Sequence, residues 1–122
     1  MSLQIRRVVT GHDAEDRGKV EIDEIATNVI SNRPGASSRV VWSTKGFPVD
    51  NDGFNDPTAS TFNTTVDGGT VFRIVRYAPG VTVQRGTIQN WVNRGNEACV
   101  IAFVLISSKS VSAVGKSLFA VG

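Results

Sequence analysis

Apolar residues recur along this chain in short runs, alternating or paired, and no long segment keeps them at the three-and-four spacing of a helix. Residues 4–9 (QIRRVV) and 19–25 (KVEIDEI) therefore read as two strands. Between them GHDAEDRG carries the glycine and aspartates that turns require. Residues 28–38 (NVISNRPGASS) read as loop around the Pro34-Gly35 turn signal, and Arg39 to Thr44 (RVVWST) returns to strand composition. From Gly69 the pattern is strongly β: GTVFRIVRYAPG, VTVQRG, IQNWVNRG and ACVIAFVLISS are short strands broken by Pro-Gly, Arg-Gly and Asn-Arg-Gly-Asn. Such dense turn spacing predicts an all-β sandwich or barrel. The best helix candidate, Asp13 to Lys19, is short and contains Gly18, so no helix is required.

One stretch breaks this rhythm. Lys45 to Asp67 is rich in Gly, Pro, Asn, Asp and Thr, too long for a plain connection inside a compact domain, and so is expected to act as a lid, an arm or a partner contact. Phe47, Phe54 and Phe62 are its candidate anchors. The 122 residues are expected to form a single domain, 1–122, with amino-terminal strands over 1–44, a loop or arm over 45–68 and a β-region over 69–122.

Composition narrows the function classes. With 40% apolar and 20% charged residues the chain is an ordinary globular one. Its 13 basic and 11 acidic side chains are interspersed, without the clustered basic stripe that nucleic-acid binding needs. No apolar run is long enough to span a membrane and the start MSLQIRRVV lacks a signal-peptide core, which gives an expectation of no membrane partner and a cytoplasmic location. Cys99 is the single cysteine; in the run ACVIAFVLI it is expected to behave as a small buried hydrophobe. His12 is the single histidine, flanked by Asp13, Glu15 and Asp16 in a polar turn, and is expected to be a surface residue, since a ligand needs convergent partners. Asp50, Asp52 and Asp56 cluster in the long loop, where carboxylates usually bond their own backbone.

The segments RRVVTGHD, VVWSTKGFPVDN, GGTVFRIVRYAPG, VQRGTIQNWVNRGNEACVIAFVLI and the closing GKSLFAVG, in that order, resemble a family of small single-domain cupins found in bacteria and in fungal secondary-metabolite clusters. The resemblance implies a cupin-like jelly-roll β-barrel or sandwich. It also implies oxidoreductase activity, or isomerase, dehydratase or decarboxylase chemistry, on an aromatic or polyketide substrate. Two departures qualify this. Where the family has a histidine-bearing strand and a hairpin after the turn matching Pro79-Gly80, this chain runs from Val81-Thr82 straight into Val83-Gln84-Arg85-Gly86, so the first metal-binding motif is missing. In the second motif Gln89 stands where the family has a histidine, two residues before Trp91. An amide is a poor substitute for imidazole, so the divalent metal usual in the family is not expected here.

What remains is a barrel mouth that binds a small molecule through aromatic walls and a few polar groups. Trp42, Phe72, Tyr77, Trp91 and Phe103 are the candidate walls, and Arg73 and Asn93 candidate polar contacts. Such aromatics on short strands also serve simply as core. Arg85 and Gln89 are the candidate catalytic residues. The resemblance places them on strands facing the interior, where an arginine holds a carboxylate or phenolate with two hydrogen bonds. An Arg85 turned outward beside Gly86 is only a turn residue, and the irregular alternation leaves both orientations open. Removing strands from a closed barrel exposes edges and apolar faces, so a homodimer, with a partner chain completing the shell, is the expected assembly. A non-catalytic remnant acting as a homo-oligomeric binding or structural protein is the competing reading.

Overall fold

A computed structural model of the chain describes residues 3–59, 66–84, 90–109, 111–113 and 116–118. Ten strands are found among them: β1 (Arg6–His12), β2 (Gly18–Ile25), β3 (Val29–Arg33), β4 (Ala36–Lys45), β5 (Gly69–Tyr77), β6 (Thr82–Gln84), β7 (Asn90–Val92), β8 (Cys99–Ile106), β9 (Val111–Ala113) and β10 (Lys116–Leu118). A single turn of 3-10 helix at Pro57–Ala59 interrupts the long loop. Every ladder is antiparallel, and the fold is all-β. The main sheet has the order β3-β4-β5-β8, and β1-β2, β6-β7 and β9-β10 form two-stranded ribbons. Among the described residues the main sheet is open, with β3 and β8 as its edges.

β5 is the strand around which the core is organised, because it pairs along nearly its full length with β4 on one side and β8 on the other. Its burial alternates without a break: Gly69, Val71, Arg73, Val75 and Tyr77 are buried, and the residues between them are half-buried. The buried side, hereafter the inner face, continues through Ser38, Val40 and Ser43 of β4 and through Ile101, Phe103 and Leu105 of β8. Val40 and Val71 are its fully buried centre. A bulge places Val41 between two register positions, since Val40 pairs with Arg73 but Trp42 pairs with Phe72. The extra residue switches faces, which sends Trp42 to the outer side of the sheet, opposite Phe72.

The stretch 28–38, expected as loop, is instead β3, a hairpin turn and the start of β4. Its polar composition misleads because β3 is an edge strand of the main sheet, a position that does not demand an apolar run. Pro34 and Gly35 form the turn between Arg33 and Ala36, with proline fixing the first corner and Gly35 supplying a φ of 79° at the second. Any Cβ at Gly35 would overlap the side chain of Val81. Cys99, expected to be buried, is exposed, because β8 lies at the sheet edge and Cys99 is its first residue.

The described part of the long loop, residues 45–59, is held by charge, and neither Phe47 nor Phe54 pins it. Phe47 is 97% exposed and Phe54 is exposed as well, while Phe62 lies outside the described residues. The anchor is Arg7 of β1, whose side chain is 4% exposed. Its Nη1 and Nη2 donate to the two carboxylate oxygens of Asp56 at 3.2 and 2.5 Å. Nε and Nη2 donate to Oε1 of Glu24 on β2, at 3.1 and 2.6 Å, and Nη1 also donates to the Val41 carbonyl at 3.2 Å. Asp56 Oδ1 in turn accepts the amide and the hydroxyl of Thr58, and Asn28 Nδ2 donates to the Thr58 carbonyl. One guanidinium thus ties the β1-β2 ribbon, the bulge of β4 and the loop together. Arg6, one residue earlier, faces out and pairs with exposed Asp23 at 2.7 Å, an interaction of small worth in water.

These contacts give two expectations. Replacing Gly35 with alanine forces both a strained φ and a clash with Val81, so Gly35→Ala should lower unfolding stability by about 1–3 kcal/mol in urea titration. The hydrogen bonds from Arg7, opposed by burial and reinforced by Thr58, hold the Asp56 carboxyl at about 2, below its ordinary 3.8. A lowered folded-state value means stabilisation that is complete above about pH 4 and is lost as pH falls through about 2, worth roughly 2 kcal/mol. Denaturation series at about pH 5 and about pH 2 should therefore show a smaller acid loss for Asp56→Asn than for the unaltered chain.

Candidate aromatic binding face

The inner face ends in an aromatic cluster built from three strands. Tyr77 closes β5 at 3% exposure, and Trp91 of β7 stacks on it with ring centroids 6.5 Å apart and planes 22° from parallel. Phe103 of β8 meets Trp91 edge-on at 5.2 Å and 82°, a favourable arrangement for the ring quadrupoles. Ala36, Val75, Val81 and Ile101 pack around them.

Trp91 reaches this position because the β6-β7 ribbon is fastened to the end of β5. The Pro79-Gly80 turn reverses the chain after Tyr77, with a φ of 72° at Gly80. Gly80 donates its amide to the Asn93 carbonyl at 2.9 Å, and Asn93 donates its own to Val81 at 2.9 Å. The Asn93 side chain completes the joint: Nδ2 donates to the carbonyls of Tyr77 and Glu97 at 3.1 and 2.8 Å, while Oδ1 accepts the Gly95 amide at 3.0 Å. Asn93 thus uses both of its amide hydrogens to hold the β5 end, β7 and the approach to β8 in register.

The sequence-derived candidates divide as follows. Tyr77, Trp91 and Phe103 come together, and Arg73 joins the same face because it pairs across the sheet with Phe103. Arg73 is buried at 4% exposure and lies two inward positions before Tyr77, with Val75 between them. Trp42 and Phe72 are opposite each other on the other face and do not share this wall. Asn93 is beside the cluster, with its amide engaged by the backbone. Arg85 and Gln89 lie outside the described residues.

Three buried polar atoms on the inner side find no hydrogen-bond partner among the described residues: Tyr77 Oη, Trp91 Nε1 and Ser38 Oγ. Ser38 pairs with Val75, so it sits one cross-strand step from Tyr77. Each such group left unsatisfied costs about 1–3 kcal/mol, which makes three on one face a concentrated expense. Nothing in the composition revealed this; only Trp91 and Tyr77 themselves were legible as aromatics.

The other acidic clusters serve the chain itself. Asp13 Oδ1 accepts the amides of Glu15 and Arg17, and Oδ2 accepts Arg17 Nε at 3.0 Å, closing the turn after exposed His12. Those backbone bonds, from Arg17 first and then Glu15, lower the Asp13 carboxyl below its ordinary range. Asp50 Oδ1 accepts the Asp52 amide in the same manner. Among the described residues no three His, Cys, Asp or Glu side chains converge as a metal site, and no helix is long and apolar enough to cross a membrane.

No protein-family model matches the chain, and no curated protein matches it.

The isolated Tyr77 hydroxyl gives a direct check. Tyr77→Phe removes a buried donor that has no partner among the described residues, so the unfolding stability of the unliganded protein should be unchanged or higher by up to about 1 kcal/mol. A loss above that amount would show that the hydroxyl is satisfied in solution.

Proposed function

We propose that this chain is a cupin-like, jelly-roll-derived protein of secondary metabolism. It holds an aromatic or polyketide ligand against the face formed by Tyr77, Trp91, Phe103 and Arg73, without a metal. The observation that carries this reading is the pair of orphaned donors, Tyr77 Oη and Trp91 Nε1, on rings 6.5 Å apart. A phenol, enolate or carboxylate oxygen is the kind of acceptor such donors take, and an aromatic ring is the kind of group such walls stack against. Arg73 adds a positive charge to the same face and favours an anionic ligand. Gln89, in place of an imidazole, and the missing first motif argue against the metal-dependent oxidoreductase chemistry that the resemblance implies. Isomerase, dehydratase or decarboxylase chemistry by positioning and hydrogen bonding is the compatible enzymatic form, with Arg85 and Gln89 as the candidate catalytic groups.

A second reading, a non-catalytic cupin remnant that works as a homo-oligomer, is favoured by a different observation. Val100, Val104 and Ile106 stand exposed along one strand, β8.

Calorimetric titration with 2-hydroxybenzoate and a panel of aromatic carboxylates and phenols tests the first reading. Saturable binding with a Kd below about 1 mM is expected, weakened about tenfold by Trp91→Phe, which deletes one hydrogen-bond donor. Absence of saturable binding across the panel would sink it.

A further inference from the structure

We infer that the outer face of the main sheet binds a small phosphate monoester at Arg39, Arg76 and Ser37. This site lies across the sheet from the aromatic cluster and does not rest on the ligand proposed there. Charges that are interspersed along the chain are segregated by folding. β3, β4, β5 and β8 carry five basic residues, Arg33, Arg39, Lys45, Arg73 and Arg76, and no aspartate or glutamate. All eleven acidic side chains of the protein lie among the described residues, and none of them pairs with Arg39 or Arg76.

Two of these cations are brought to one place. Ser37 and Arg39 on β4, and Ile74 and Arg76 on β5, alternate with the buried Ser38, Val40, Val75 and Tyr77 and so face outward. Arg76 stands directly opposite Ser37 in the register, and Arg39 opposite Ile74. Arg39 folds back along its own strand: Nη1 donates to Ser37 Oγ at 3.2 Å and to the Ser38 carbonyl at 3.4 Å. Its guanidinium is therefore held beside Ser37, within reach of the long side chain of Arg76, and both arginines are half-buried. Like charges placed together in this way repel each other unless an anion joins them. The donors set the class of that anion. The remaining N–H groups of Arg39 and the guanidinium of Arg76 form planar forks, and the Ser37 hydroxyl, which accepts from Arg39, keeps its own hydrogen to donate. A phosphate group matches this set, with about two negative charges at neutral pH and three acceptor oxygens. A carboxylate, with a single charge, leaves part of it unmet. Val100, opposite Arg76 and 54% exposed, and the half-buried Ile74 border the same place and favour an ester with an apolar group over the bare ion.

Titration of butyl phosphate into the full chain at low ionic strength and about pH 7.5, followed by phosphorus NMR, tests the site, because this probe is fully charged there and has no ring for the aromatic cluster. Saturable binding with a Kd below about 1 mM is expected, with inorganic phosphate and butyrate, as competitors, each at least about threefold weaker. Arg39→Gln and Arg76→Gln should each weaken binding about tenfold and Ser37→Ala about threefold, with Arg39→Lys losing less than Arg39→Gln. Arg94→Gln, which removes the same charge from the exposed connection between β7 and β8, and Trp91→Phe on the inner face should both stay within about twofold of the unaltered chain. Removing one of two uncompensated like charges should also leave the thermal midpoint of the unliganded protein unchanged or higher, which separates lost binding from a damaged fold. Absence of saturable binding below about 10 mM, or equal losses in Arg94→Gln and Arg76→Gln, would overturn the site. Tighter binding of butyrate than of butyl phosphate would overturn the phosphate class, and a lowered midpoint in both arginine variants would overturn the uncompensated charge on which the site rests.

Discussion

The guanidinium of Arg7 is the point on which the placement of the amino-terminal half depends. A buried charge of this kind is unfavourable unless its partners are held for it, and here they come from three segments distant in sequence: Glu24, the Val41 carbonyl and Asp56. Removing Asp56 or Glu24 leaves the buried Arg7 guanidinium short of a partner, and that loss is destabilising. The bonds also act in both directions. They raise the Arg7 value above its ordinary range, Asp56 first among the causes, while lowering that of Asp56. Residues 45–59 of the loop are therefore secured through Asp56, and the Val41 carbonyl that Arg7 also engages belongs to the bulge that turns Trp42 away from the inner face.

That bulge links architecture to chemistry. Without the extra residue at Val41, the alternation of β4 would put Trp42 on the same side as Arg73 and Tyr77. With it, the inner wall is assembled from Tyr77, Trp91 and Phe103, and the β6-β7 ribbon becomes the element that determines the site. Asn93 holds the ribbon by hydrogen bonds to the backbone at both ends of the aromatic cluster. The face consequently has a braced frame, and Tyr77 Oη, Trp91 Nε1 and Ser38 Oγ on it have no hydrogen-bond partner among the described residues.

β8 shows a similar conflict between sequence and place. Its apolar run belongs to the inside of a sheet, and its position is the edge. The same strand contributes Phe103 to the aromatic cluster.

Much of the fold was legible in the sequence, for local reasons. β1, β2, the core of β4, β5 and β8 follow from short apolar runs bounded by Gly, Pro, Asn and Asp, since turn chemistry and strand periodicity act over a few residues. The Pro34-Gly35 turn was legible too, but the polar flanks concealed that it joins two paired strands. What the sequence could not determine were the faces. RRVV gives no sign that Arg7 points inward while Val8 stands exposed, and VVWS gives no sign of the bulge that moves Trp42 away from Tyr77. Cys99 in its apolar run gave no sign that it would be exposed. Side-chain direction in a strand reverses with a one-residue shift, so it is settled by long-range pairing and by which buried charges find partners. Local composition sets the strands; only the tertiary structure decides what each one turns toward the core.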